Sequence, residues 1–181
     1  MLKELSVALL FLDKTALKLR RFLIETLPRV SCAPLKLRTC YHDIPLSAFN
    51  EKRKQYNAEL ILRFLLSKFE KSNEILVAIT SRDIYVKGMN FVFGLAQLRG
   101  KACVASICRL NPAFWGEKGN EKLFRERVLK EVLHELYHVI GLEHCNNYCV
   151  MRFSNSIWEV DAKPLRLCST CKRKLKSLLK S

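Results

Sequence analysis

The chain has 181 residues, 49% of them apolar, which is enough for one domain with a buried core. No stretch approaches the ~20 apolar residues that cross a bilayer, and residues 6–12, the best candidate, stop at Asp13 without a small-residue cleavage site, so a cytoplasmic protein with no membrane contact is expected. The net charge of +15 keeps acidic partners in view, while eight cysteines without an export signal point to reduced thiols or metal rather than a disulfide scaffold.

Residues 6–12 read as a strand, and Leu17, Leu19, Phe22, Leu23 and Leu27 recur at helical spacing as far as Pro28, where a helix is expected to end. A second strand over 35–41 would make the opening a βαβ unit with parallel strands. A long helix is then expected over about 50–71, capped by Asn50, with Tyr56, Leu60, Phe64, Leu65 and Phe69 on one face. Residues 74–80 form a buried strand. Residues 91–96 and 102–110 are two more, joined by a polar turn at Arg99 and Gly100 short enough to favour antiparallel pairing. Asn120 caps a further helix with Leu123, Phe124, Val128, Val132 and Ile140 on its apolar side.

That helix carries the most informative residues of the chain. His134 and His138 are i and i+4, so their imidazoles share one face and can share a metal ion. Glu135 is offset sideways, better placed to reach a metal-bound water than to be a ligand. Gly141 can adopt positive φ, end the helix and turn the chain so that His144 becomes a third ligand. By chance, a bare His-Glu-x-x-His would occur in about one chain of this composition in two hundred, and with Gly141 and His144 in about one in two hundred thousand.

After Gly141 periodicity gives way to a loop-rich segment of forty residues holding four of the eight cysteines. Cys145, Cys149, Cys168 and Cys171 form two pairs with 18 residues between them, close to the arrangement of a structural four-cysteine zinc site; two disulfides or four plain thiols are the alternative. His144 and Cys145 are neighbours whose side chains diverge, so they are assigned to different metals. Cys32, Cys40, Cys103 and Cys108 read as plain small side chains, His42 as a loop or surface histidine, and Met151 as core filler or a residue packed beneath the metal site.

His134, Glu135, His138, Gly141 and His144, followed by Met151, resemble the metzincin zinc peptidases, and the added Cys145, Cys149, Cys168 and Cys171 resemble the archaemetzincins, whose second zinc is bound by four cysteines. The first cysteine pair and the stretch from Met151 to the last pair are each one residue shorter than the family pattern. The resemblance implies an α+β, metzincin-like fold: a mixed twisted sheet with a backing helix and an active-site helix, plus a small zinc-stapled C-terminal subdomain. The division expected is 1–141 and 142–181, the second part holding the methionine turn at Met151. It further implies two Zn²⁺ per chain, a catalytic one on His134, His138 and His144 and a structural one on the four cysteines. The activity implied is hydrolysis of peptide bonds by a zinc-activated water with Glu135 as general base, on a peptide or protein substrate extended along an edge strand, for which residues 102–110 are the candidate.

The competing reading is a non-catalytic zinc module that binds nucleic acid or protein through its basic surface. Its densest run, residues 172–176, lacks interleaved aromatics and reads as the solvated face of a C-terminal helix, so nucleic acid is disfavoured as a partner. A binding module also has no use for Glu135 between two histidine ligands. A monomer is favoured.

Overall fold

The computed structural model describes residues 3–180. Its first unit is β1 (Leu5–Phe11), a short helix α1 (Lys14–Leu17), α2 (Arg20–Val30) and β2 (Leu35–Tyr41), with β1 and β2 parallel as the apolar runs imply. Asp13 ties this unit down: its carboxylate accepts from the Ala16 N–H that starts α1 and from the Ser81 N–H, the Ser81 hydroxyl and the Thr80 hydroxyl across the sheet. The helix α2 does not stop at Pro28. A proline in a last turn costs one intrahelical bond, and Ser31 N–H still reaches the Leu27 carbonyl at 2.9 Å, so the helix closes at Val30.

The segment expected as one long helix over 50–71 is instead a small antiparallel pair, β3 (Phe49–Asn50) and β4 (Gln55–Asn57), followed by α3 (Ala58–Lys68). Lys54, at φ 55, makes the turn between the two strands, and the α3 cap is Asn57, whose side-chain oxygen accepts from Glu59 and Leu60 N–H. The apolar periodicity from Leu60 onward was real, but the tight turn breaks the helix before it.

The remaining strands are β5 (Ile75–Thr80), β6 (Ile84–Tyr85), β7 (Gly94–Ala96) and β8 (Ala102–Ser106). A five-stranded sheet runs β2-β1-β5-β8-β7, parallel except for β7, which pairs antiparallel to β8; β3, β4 and β6 make a separate small sheet. The β7 to β8 connection is thus antiparallel, as its length implies. Sheet position overturns one expectation, however: β8 is an interior strand, buried at every residue, and the edge strand beside it is β7, with β2 at the opposite edge.

Alternation along β1 shows how the core is split. Val7, Leu9 and Phe11 face a cluster shared with α2 and the histidine-bearing helix α4 (Glu121–Ile140), whereas Ala8, Leu10 and Leu12 face one shared with α3. Asn120 caps α4 by accepting from Leu123 N–H, and Gly141, at φ +122, closes it. The chain then adds α5 (Ile157–Ala162), entered by a capping box of Ser156 and Glu159, and α6 (Ser169–Leu178). Both pack against α4, so the twisted mixed sheet carries helices on both faces and the C-terminal segment closes over one of them. Among the described residues, no helix is long and apolar enough to cross a membrane.

Candidate metal centres and active-site cleft

On α4, His134 and His138 stand one turn apart with their Nε2 atoms 3.0 Å from each other. After Gly141 the chain reverses and brings His144 to them, its ring centroid 5.3 Å from that of His134 and 4.7 Å from that of His138. One nitrogen from each of the three rings lies within 4.8 Å of the others. Two backbone carbonyls orient the rings: His134 Nδ1 is 2.9 Å from Val150 O, and His138 Nδ1 is 2.7 Å from Leu142 O. A carbonyl oxygen only accepts, so each Nδ1 carries the proton and each Nε2 presents a lone pair.

Two lone pairs this close repel unless a proton or a metal cation lies between them. A proton is disfavoured: burial, and after it the positive charge of Lys163, hold His134 well below its ordinary value, and burial takes His138 down to about 4. The donor set therefore fits a divalent cation that takes imidazole nitrogen, zinc among them.

Glu135 lies beside the histidines, 5% exposed, in a cleft of about 370 Å³. Burial and then the neighbouring Glu131 carboxylate push its own carboxyl well above the ordinary range, against the opposing charge of Lys163. Edge strand β7 roofs it at Gly94, where a Cβ would come within 2.6 Å of Glu135 Cγ and 2.7 Å of Cδ. No other residue type leaves that space. The far wall comes from Phe153, Ser154 and Asn155, which follow Met151, with Phe153 edge-on to His144 at 5.0 Å.

Met151 is fully buried in the core cluster that α4 shares with the C-terminal segment, and its carbonyl accepts from Cys145 N–H at 3.0 Å. This bond joins the histidine loop to the cysteine cluster. Cys145, Cys149, Cys168 and Cys171 bring their sulfur atoms within 4.8 Å of one another, and no disulfide is formed. The Sγ atoms of Cys145 and Cys168 are 3.8 Å apart. Sulfurs on a tetrahedral zinc with bonds of about 2.3 Å stand about 3.8 Å apart, so the spacing suits that ion.

The thiols are also set up electrostatically. Cys168 is the cap of α6, where burial would raise its pKa but the Cys171 N–H, the Asn147 amide and the neighbouring thiols bring it to about 6. Cys168 N–H in turn donates to Cys149 Sγ at 3.3 Å. The other four cysteines lie in neither cluster, and His42 packs against Phe64 and Phe69 away from the cleft.

Two residues that line the cleft and one that lies behind Glu131 carry no motif. Lys163, 1% exposed in its side chain, sits 2.6 Å from Glu131, and Gly94 and Ser154 complete the walls. Only Glu131 has a sequence signal, since it stands four residues before Glu135 and so shares its helix face.

The profile of peptidase family M54 matches residues 34–177. An archaemetzincin of Archaeoglobus fulgidus is 46% identical over 134 residues, covering 74% of this chain and 77% of that relative, and one of Methanocaldococcus jannaschii is likewise 46% identical over 134 residues, covering 74% and 73%. Among solved structures, the archaemetzincin of Methanopyrus kandleri superposes with a TM-score of 0.84 at 33% identity over 98% of this chain and 97% of its own. The Archaeoglobus fulgidus archaemetzincin, crystallised with malonate, gives 0.77 at 38% identity over 94% and 99%.

Proposed function

Since the chain belongs to peptidase family M54, the family of the archaemetzincins, it is a zinc metallopeptidase acting on peptide or protein substrate, and we propose that His134, His138 and His144 hold its catalytic zinc while Glu135 is the general base. The observation that carries this is the pair of Nε2 lone pairs converging at 3.0 Å beside a buried carboxylate. Zinc in that position would supply Lewis acidity, lowering the pKa of water to about 7 and polarising the scissile carbonyl.

The residues do the rest. Glu135 accepts one proton from the water whose oxygen bonds to the carbonyl carbon, and passes it to the amide nitrogen as the C–N bond breaks. The free edge of β7, rather than interior β8, would bind the substrate backbone as an added strand, which brings the bond to be cut over Glu135. Cys145, Cys149, Cys168 and Cys171 would hold a second, structural zinc, making two per chain, and the part after Gly141 would be a subdomain stapled by it.

Zinc per chain, measured on purified wild type, His138→Ala, Cys168→Ala and Glu135→Ala, tests this. Two ions are expected in the wild type, one in each of the first two variants, and two in Glu135→Ala, which should lose at least about 10²-fold in peptide hydrolysis. Wild-type activity in Glu135→Ala would remove that residue from the mechanism, and no stoichiometric zinc in the wild type would remove both centres.

A further inference from the structure

Behind the cleft wall that leads into β7, a chain of side-chain hydrogen bonds runs from one arginine to another. Arg109 donates Nε–H and Nη2–H to the two carboxylate oxygens of Asp83, each at 2.8 Å. Asp83 also accepts from Gln55 Nε2 at 2.9 Å, and Gln55 Oε1 accepts from Arg53 Nε at 2.9 Å. Two members of this chain hold the wall by its backbone: Arg53 Nη2 donates to the carbonyls of Met89 at 2.9 Å and Asn90 at 2.8 Å, and Gln55 Nε2 donates to that of Asn90 at 3.0 Å. Arg109 holds it by a ring. Its guanidinium stands over Phe91, 4.1 Å from the ring centre, and over the exposed Phe114 at 4.8 Å. Met89 and Phe91 line the cleft with Val86 and Val92, and Phe91 meets Phe93, the residue before β7, edge-on at 5.2 Å.

We propose that Arg109 is a positioning residue for substrate binding: clamped by Asp83, it fixes the Phe91 ring as a preformed apolar wall for a substrate side chain that enters the cleft. The proposal rests on the peptidase reading above. Two-pronged pairing with a carboxylate sets the plane of a guanidinium, and both partners are largely shielded, with side chains 21% and 17% exposed. Attraction between that cation and the face of Phe91 then sets the ring. Phe91 itself is only half-buried, so part of it is left for a ligand to cover. An apolar side chain packed on a ring already in place gains the contact without the cost of ordering it. Without Arg109 that cost falls on binding, while the histidines and Glu135 keep their places. Large apolar side chains should therefore bind more weakly, and small ones as before.

The test uses the full, zinc-loaded chain and two peptide hydroxamates that differ only in carrying leucine or alanine at the two positions next to the chelating group, with Kd measured by calorimetry. Wild type should bind the leucine compound about tenfold tighter. Arg109→Met should cut that advantage about threefold or more, with the alanine compound within about twofold of its wild-type Kd. Arg109→Lys keeps a cation near the ring, disturbs the fold less and should fall between. Phe91→Ala should remove most of the advantage, and adding Arg109→Met to it should change nothing further, because the guanidinium acts through the ring. No leucine advantage in the wild type, equal weakening of both compounds by Arg109→Met, or additive losses in the double variant overturns the assignment while leaving the metallopeptidase standing. Binding of neither compound by the zinc-loaded wild type would overturn the catalytic centre and this wall with it.

Discussion

His134 and His138 each donate Nδ1–H to a backbone carbonyl, and this fixes the tautomer that leaves Nε2 free. The carbonyls belong to Val150 and Leu142, residues with no chemistry of their own, so no motif could flag them. Gly94 is a similar case. Its role comes from the absence of a side chain where β7 crosses Glu135, and Gly94→Ala would place a methyl 2.6 Å from Glu135 Cγ. Displacing the carboxylate by about 1 Å is expected to lower kcat by up to about 10²-fold, with zinc content unchanged. Steady-state kinetics beside metal analysis would check this, and a wild-type kcat would mean that Glu135 does not need its observed position.

Beyond its apolar side, α4 carries a second stripe made of Arg127, Lys130, Glu131, His134, Glu135 and His138, spaced three and four apart. The upper part of the stripe receives α5: Arg127 makes a bidentate pair with Asp161 at 2.7 Å and donates to Leu110 O, and Lys130 donates to the carbonyls of Val160 and Asp161. The lower part is the proposed active site. Docking of α5 thus positions the wall of the cleft. Arg127→Met would strand the Leu110 carbonyl and unpair Asp161; because Asp161 is 33% exposed and can rehydrate, the loss is expected at the low end for a broken buried pair, about 3 kcal/mol. Urea unfolding of the zinc-loaded protein would measure it, and a loss below about 1 kcal/mol would show that the stripe does not anchor α5.

At the scale of the whole molecule, the segment after Gly141 has no core of its own. Leu142, Val150, Met151, Ile157, Val160 and Leu175 belong to the same cluster as Val7, Leu9 and the apolar side of α4. The proposed subdomains 1–141 and 142–181 therefore share one hydrophobic interior, and scanning calorimetry of the zinc-loaded chain should show a single cooperative transition. Two resolved transitions would mean that the zinc-stapled part melts independently. The excess positive charge sits outside this interior: Lys172, Arg173, Lys174 and Lys176 are all on the exposed side of α6, as the helical spacing implies.

The sequence by itself determined which histidines and which cysteines cluster, the turn at Gly141 that returns His144 to His134 and His138, the parallel opening strands and the capped helix α4. These depend on spacing along a single element or within a short loop, where local geometry leaves few alternatives. It failed over residues 50–57, where apolar periodicity ran on through a turn made by Lys54, and at the sheet edge, because strand order depends on which strands pair rather than on any one strand's composition. Only the tertiary structure decided that β7 roofs Glu135, that Lys163 reaches Glu131 across 32 positions, and that Ser154 lines the same cleft. Those contacts join residues far apart in the chain through packing and buried charge, and no local pattern records them.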